Sequence, residues 1–241
     1  LQKCRGFFYY LYFLKTLNLN RYNYMKVDVY IPHRLSDITL REYKAYDKIM
    51  QSNKEDEYAE RFINLKMLEI FCGVNYENAK KMPLTKFNNI IQHLYKILSI
   101  SPELVQTFKM GDTEFGFIPN LEEITFGEYI DLDTYLTDMQ NIEKAMAVLY
   151  RPVTEKIKDK YQIIDYDAEL FSEAMLDMPL DAVIGSIVFF WNLGIDLSKG
   201  MMSSLQVTEA QQMQFLDLQT SGVGLHQSIN LLKATLEDLK K

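Results

Sequence analysis

The sequence predicts a mainly α-helical protein, built from a tandemly duplicated helical module with a β-hairpin or a small sheet of short strands. Three observations favour this class. Of the 241 residues, 48% are apolar, 13% aromatic and 24% charged, which is the composition of a folded globular protein. Apolar residues recur at helical spacing in several stretches. Three sequence blocks also occur twice in the same order, which is typical of an internal repeat.

The repeated blocks keep their order along the chain while the loops between them differ in length. The pairs are residues 30–43 (YIPHRLSDITLREY) with residues 117–129 (FIPNLEEITFGEY), residues 67–74 with residues 146–153, and the Met-Pro-Leu of residues 82–84 with that of residues 178–180. A single match of three residues is expected by chance, but three matches in one order are not. A module copied head to tail is therefore the economical explanation.

The repeat divides the chain into four parts. They are an extraneous or flexible N-terminal segment (residues 1–24), helical repeat copy one (residues 25–106), helical repeat copy two (residues 107–200) and a C-terminal helical extension (residues 201–241). The first part holds four cations and no acid. The 26 cations of the chain less these four leave 22, against 33 acids, so residues 25–241 have a net charge of −11.

Three interpretations of the N-terminal segment are open. They are a signal peptide or interfacial anchor, an ordered helix, and a stretch upstream of a translation start at Met25. The apolar run of residues 6–14 has nine residues, fewer than a membrane span needs. Its bulky aromatic residues and the lack of a small-residue cleavage site favour the third interpretation over a signal peptide.

Within each copy, a Thr-x-x-Glu pattern predicts the start of a helix. Thr39 with Glu42, and Thr125 with Glu128, are each spaced as a capping box, in which the two side chains satisfy backbone N–H groups. A long amphipathic helix is expected to follow in each copy. Its apolar residues are Phe62, Leu65, Leu68 and Ile70 in copy one, and Ile142, Met146 and Leu149 in copy two.

Strands are expected only at the leading edges of the copies. Residues 107–110 and 113–117 flank Gly111-Asp112, which predicts a hairpin. Together with a strand over residues 26–31, this hairpin is expected to form a sheet of three strands. Residues 180–195 are apolar on every side and too few to span a bilayer, so we expect them to form the central core helix.

Residues that carry chemistry do not assemble into a recognisable reaction centre. Asp131, Asp133 and Asp138 offer oxygen ligands for magnesium or calcium, but no glycine-turned calcium loop is present, and structural or solvating roles are favoured. Cys72 follows Ile-Phe and is expected to be a small buried apolar residue. Arg151 is expected to close a helix, with residues 156–160 forming a solvated charged face. We therefore expect no catalytic residue, no metal site and no cofactor.

The best candidate for a binding site is an apolar seam near the C-terminus. Its residues alternate at steps of four and three, as in a heptad: Leu225, Ile229, Leu232, Leu236 and Leu239. Two interpretations are open. The seam either docks on its own domain or binds a groove of another chain, and the preceding Gly-Val-Gly would let it swing.

Residues 117–132, followed by residues 146–153 and 178–180, resemble uncharacterised proteins of tailed bacteriophages. The similarity covers most of residues 26–197. It implies a virion or virion-assembly role, as a tail assembly chaperone or a head–tail component, in the host cytoplasm or the virion. The implied partners are other phage structural or assembly proteins. No catalytic residue is implied by the resemblance.

The expected function is thus non-enzymatic protein–protein binding, with self-association into a homo-oligomer as one form of it. A net charge of −7 argues against direct nucleic-acid binding. Two alternatives are open. One is an enzyme or small-ligand protein with a cleft between the repeats, lined by Glu128, Asp131 and Arg151. The other is membrane association through residues 1–17, although no membrane partner is expected.

Replacing Leu232 and Leu236 together by Asp tests the C-terminal seam. The charges should abolish partner binding or self-association, because they would stand in the middle of the apolar contact, while leaving the helix content largely intact. Sedimentation and circular dichroism measure the two effects. Unchanged association would contradict a binding role for the seam.

Overall fold

The computed structural model describes residues 9–14, 24–53, 59–158, 160–167 and 171–205, which divide into two compact units. The described residues up to Ile100, together with Leu176–Leu180, belong to unit 1. Those from Ser101 to Met175, and from Asp181 onward, belong to unit 2. Across these residues the fold is mixed α/β with a majority of helix, in agreement with the mainly helical class.

The described residues of unit 1 form two strands and four α-helices. Strands β1 (Tyr9–Leu14) and β2 (Tyr24–Val29) are antiparallel, and Tyr9 lies opposite Val29. After a short 3-10 helix (Leu35–Asp37) come α1 (Leu40–Ser52), α2 (Ala59–Cys72), α3 (Tyr76–Ala79) and α4 (Leu84–Leu98). The fully buried side chains of this unit include those of Leu40, Met67, Leu68 and Leu94.

Strand β1 lies inside residues 1–24, for which the sequence predicts an extraneous or flexible segment. An ordered helix was one of the alternatives for this segment, and the structure places a strand at Tyr9–Leu14 instead. Tyr, Phe and Leu fill that strand, and aromatic residues favour extended structure. The translation start at Met25 stays a prediction.

The start of α1 is capped as the sequence predicts. Thr39 N–H donates to Glu42 Oε2 at 2.8 Å, and Glu42 N–H donates to Thr39 Oγ1 at 3.2 Å. Two shorter helices, α1 and α2, stand where one long helix was expected. The buried face of α2 carries Met67, Leu68, Phe71 and Cys72, whereas Phe62 is exposed, so the expected face was only partly right.

A short segment from later in the chain, residues 176–180, closes unit 1 over the start of α1. Thr39 and Pro179 form an antiparallel β-bridge. Leu40 N–H donates to Met178 O at 3.0 Å, and Leu180 N–H donates to Ile38 O at 2.9 Å. We call this arrangement the 178 joint. It gives partners to backbone groups that a helix start otherwise leaves unsatisfied, and Leu40 and Leu180 are both fully buried in it.

Unit 2 contains a four-stranded antiparallel sheet in the order β3-β4-β5-β6. Strands β3 (Thr107–Met110) and β4 (Thr113–Phe117) form the predicted hairpin, with Gly111 at φ 58° in its turn. The expected sheet of three strands is wrong. Among the described residues, β2 pairs with β1, and β4 pairs instead with β5 (Tyr150–Ile157), which in turn pairs with β6 (Lys160–Ile163).

Strand β5 stands where a helix end was expected around Arg151, while Lys156, Lys158 and Lys160 of the expected charged face are exposed. The chain turns between β5 and β6 at Lys158, which has a φ of 57°. Lys156 Nζ lies 2.5 Å from Glu114 Oε1 on the neighbouring strand, so part of the basic run pairs across the sheet. The sequence conceals this hairpin because Pro152 and the exposed charges of β5 are both unfavourable signals for a central strand.

The described part of unit 2 also contains the helices α5 (Phe126–Tyr135), α6 (Ile142–Leu149), α7 (Ser172–Met175) and α8 (Leu180–Leu205), of which the last has its first residue in unit 1. The apolar stretch expected to be a central core helix forms the first part of α8. Ala182, Val183 and Ser186 are fully buried, whereas residues 187–191 are half-buried, so only the first turns are central. Ser186 Oγ donates to the hydroxyl of buried Tyr150 at 3.0 Å. No described helix is both long and apolar enough to cross a membrane.

The buried thiol of Cys72 yields a test of unit 1. Burial raises the pKa of the Cys72 thiol to about 12, and the Glu42 carboxylate adds to the rise. Since the thiolate is the reactive form, a Cys4→Ser variant should resist thiol reagents at pH 8 while folded. When it is unfolded in guanidinium chloride, the same variant should react with one equivalent of the thiol reagent. The absorbance of a chromogenic reagent measures the reaction. Rapid modification of the folded protein would contradict the placement of Cys72.

Candidate functional site

The second predicted capping box is confirmed at the start of α5. Thr125 N–H donates to Glu128 Oε2 at 2.6 Å, and Glu128 N–H donates to Thr125 Oγ1 at 3.3 Å. A short 3-10 helix, Leu121–Glu123, leads into this turn. One oxygen of the Glu128 carboxylate is thereby committed to the end of its own helix.

The other oxygen of Glu128 forms an ion pair with the sheet. Arg151 Nη2, on β5, lies 2.8 Å from Glu128 Oε1, and both side chains are more than nine-tenths buried. Removing either charge alone would leave the other buried without compensation, which is strongly unfavourable. Arg151 Nε has no hydrogen-bond partner in the structure as described. The ion pair fastens the first turn of α5 to β5.

A third polar contact lies beside this ion pair. The hydroxyl of Tyr166 donates to Asp131 Oδ2, and the guanidinium carbon of Arg151 lies 6.0 Å from the centre of the Tyr166 ring. Burial raises the pKa of Tyr166, and the hydrogen bond to Asp131 raises it further. The structure thus brings together Glu128, Asp131 and Arg151 within unit 2. Sequence reasoning missed Tyr166, because nothing in the stretch around it marks one tyrosine for this contact.

These polar groups bond to one another. Glu128 is occupied by Thr125 and Arg151, and Asp131 by Tyr166. The ion pair between Glu128 and Arg151 is buried and mutually compensated, and a contact of this kind orients a helix on a sheet. The geometry therefore assigns the cluster a positioning role for α5.

The outward face of α5 is apolar. Phe126 is 78% exposed, and Tyr129 and Ile130 are also exposed, whereas Glu128 and Leu132 of the same helix are buried. Residues spaced by three and four lie on one face of a helix. We call Phe126, Tyr129 and Ile130 the α5 strip. Large apolar side chains that share an exposed face are typical of an interaction surface.

Sequence reasoning did not select the α5 strip as a site. The signal was present, since the three residues have the spacing of an amphipathic helix. That spacing normally marks the face turned toward the core. Only the structure shows that the buried ion pair turns the opposite face of α5 inward.

Other candidates from the sequence have structural roles where they are described. Asp138 accepts hydrogen bonds from Gln140 N–H at 2.9 Å and Asn141 Nδ2 at 2.6 Å, which stabilise a turn. His93 Nε2 lies 2.9 Å from Pro32 O. Within the described ranges, no group of three or more His, Cys, Asp or Glu side chains is arranged to hold a metal ion.

The predicted C-terminal seam falls outside the part of the chain that the structure describes. This applies to all five of its residues: Leu225, Ile229, Leu232, Leu236 and Leu239. Its binding role stays a prediction.

Comparisons of the chain with models of protein families, with curated proteins and with solved structures find no match. The functional argument therefore comes from the residues of the chain itself.

The buried ion pair can be tested by replacing Arg151 with Met. Glu128 would stay buried without a counter-charge, so the free energy of unfolding of unit 2 should fall by about 3–5 kcal/mol. Adding Glu128→Gln should restore part of the loss, because Gln keeps the capping contact and removes the charge. Denaturant unfolding measures both effects.

The control is Arg41→Met, which removes the exposed ion pair between Arg41 and Asp177. Exposed pairs contribute about 0–1 kcal/mol, so this variant should unfold nearly as the wild type does. Equal losses for Arg41→Met and Arg151→Met would contradict the role given to the buried pair.

Proposed function

We propose that this protein is a non-enzymatic bacteriophage virion or assembly protein, a tail assembly chaperone or a head–tail component, that acts by binding other proteins. The exposure of the α5 strip carries the proposal. Phe126 stands at the first position of a helix held by a buried ion pair, so the surface is presented in a defined orientation. A rigid anchor loses little entropy on binding, which favours affinity.

The class of partner comes from the resemblance of residues 117–132 to phage proteins, since the α5 strip lies inside that stretch. The net charge of −7 favours protein partners over packaged DNA, because like charges repel. Such a protein would act in the host cytoplasm or within the virion.

The proposal includes a duplicated origin for the two halves, which the order of elements supports. In the first half, β2 is followed by a 3-10 helix, α1, α2, the four-residue α3 and α4. In the second half, β4 is followed by a 3-10 helix, α5, α6, the four-residue α7 and α8. The β5–β6 hairpin is extra and lies between α6 and α7. Met-Pro-Leu stands at the start of the last helix in both halves.

Side-chain neighbours support the same alignment. Cys72 and Arg151 occupy matching positions in residues 67–74 and 146–153. Each interacts with the Glu of its own capping box, since Glu42 raises the pKa of Cys72 and Glu128 pairs with Arg151. An electrostatic interaction between the same two positions in both halves favours common descent over chance likeness.

The proposal is tested by replacing Phe126 with Asp in the tagged full chain and purifying it from infected cells. The charge should prevent apolar contact, so phage structural or assembly proteins identified by mass spectrometry should be lost from the eluate. The loss should be about 30-fold or more if Phe126 is a binding hot spot.

The matched control is Ile157→Asp, which places the same charge on another exposed apolar residue, at the end of β5. This variant should retain the phage proteins. Retention by Phe126→Asp, or equal loss from both variants, would contradict the α5 strip as the binding surface.

A further inference from the structure

The 178 joint shows what covers the start of α1, and the matching start of α5 is left uncovered. In unit 1, Leu40 is fully buried beneath Met178 and Leu180, which are held by backbone hydrogen bonds to Ile38 and Leu40. At the matching position in unit 2, Phe126 is 78% exposed. One structural feature thus occurs twice in the chain, once covered and once open.

The backbone at the start of α5 already has the conformation found in the 178 joint. Ile38 and Thr39 are extended before the first turn of α1, and Ile124 and Thr125 are likewise extended before α5. No described segment makes a backbone hydrogen bond to Phe126 N–H or Ile124 O, the groups that match Leu40 N–H and Ile38 O. The two groups therefore have the arrangement needed to accept a Met-Pro-Leu segment.

The chain carries a second Met-Pro-Leu, at residues 82–84. It follows the four-residue helix α3, just as Met178-Pro179-Leu180 follows the four-residue α7. Met82 is buried, as Met178 is. Leu84, however, is 72% exposed, whereas Leu180 is fully buried. The chain thus presents an unused docking segment as well as an uncovered docking place.

The charges around the two exposed places are complementary. The exposed basic residues Lys81 and Lys86 flank residues 82–84, while nearby Lys80 pairs with Glu77. The exposed acidic residues Glu122 and Glu123 directly precede Ile124. Opposite charges at the rim of an interface favour encounter and correct register.

We propose that residues 82–84 of one molecule dock on residues 124–126 of a second copy of this chain. The contact would repeat the 178 joint between molecules, with Leu84 placed against Phe126. This inference rests on the proposed function, since it names a partner for the α5 strip. The two surfaces differ, so the contact is head-to-tail, and each added molecule leaves one surface of each kind open. Such contacts build rings or filaments.

Mixing variants of the full chain tests this geometry by sedimentation velocity. Phe126→Asp and Leu84→Asp should each abolish self-association, weakening it about 30-fold or more, because each destroys one surface. An equimolar mixture should form a species of two chains and nothing larger. It would join the intact residues 82–84 of the Phe126→Asp molecule to the intact residues 124–126 of the Leu84→Asp molecule.

Ile157→Asp is the matched control and should associate as the wild type does. Both mutated side chains are exposed, and circular dichroism with thermal unfolding checks that each variant is folded. If an aspartate variant is not folded, the corresponding serine variant, Phe126→Ser or Leu84→Ser, is used in its place. The inference is overturned if the wild type is monomeric, if Leu84→Asp associates normally, or if the mixture stays monomeric.

If something other than residues 82–84 of a second copy covers the α5 strip, the same experiments give different results. If Leu232→Asp with Leu236→Asp abolishes association while Leu84→Asp does not, the C-terminal seam covers the strip and the inference is wrong. If the wild type is monomeric but Phe126→Asp still loses phage proteins, the inference fails and the proposed function stands. Retention of phage proteins by Phe126→Asp contradicts the proposed function, whatever the self-association.

Discussion

The carboxylate of Glu128 is the interaction on which the arrangement of unit 2 depends. One oxygen accepts the N–H of Thr125 and starts α5, while the other pairs with Arg151 on the sheet. Because the group is almost completely buried, neither contact can be exchanged for water. The place where the helix begins and the direction in which it faces are therefore set by a single side chain. The exposure of Phe126, and the binding surface we propose there, follow from it.

In unit 1 the matching helix, α1, begins in a different environment. Glu42 is only half-buried, so water can solvate its charge and a counter-ion is not required. Cys72, a small neutral side chain, stands where Arg151 stands in unit 2. The 178 joint closes this start with backbone hydrogen bonds and two buried leucines. The same capping box is thus completed by apolar packing in unit 1 and by a buried ion pair in unit 2. In unit 2 the apolar face of α5 is therefore left exposed.

The polar residues of unit 2 bear on the choice between binding and catalysis. Glu128, Arg151, Asp131 and Tyr166 are the groups that a reaction centre would be expected to use, yet they are engaged with one another. The large exposed side chains of α5, those of Phe126, Tyr129 and Ile130, are apolar. This arrangement suits the binding role that we propose, in which a head-to-tail contact would let one chain act both as a receptor and as a ligand.

The sequence by itself determined the local features. Both capping boxes, the hairpin at Gly111-Asp112, the burial of Cys72 and the helical majority were predicted, because each depends on residues close together in the chain. The tertiary structure decided the partners of distant segments. These are the pairing of β4 with β5, the 178 joint and the ion pair that turns the apolar face of α5 outward. Helical spacing shows that a face is apolar, but whether that face meets the core or solvent depends on contacts between residues far apart in sequence.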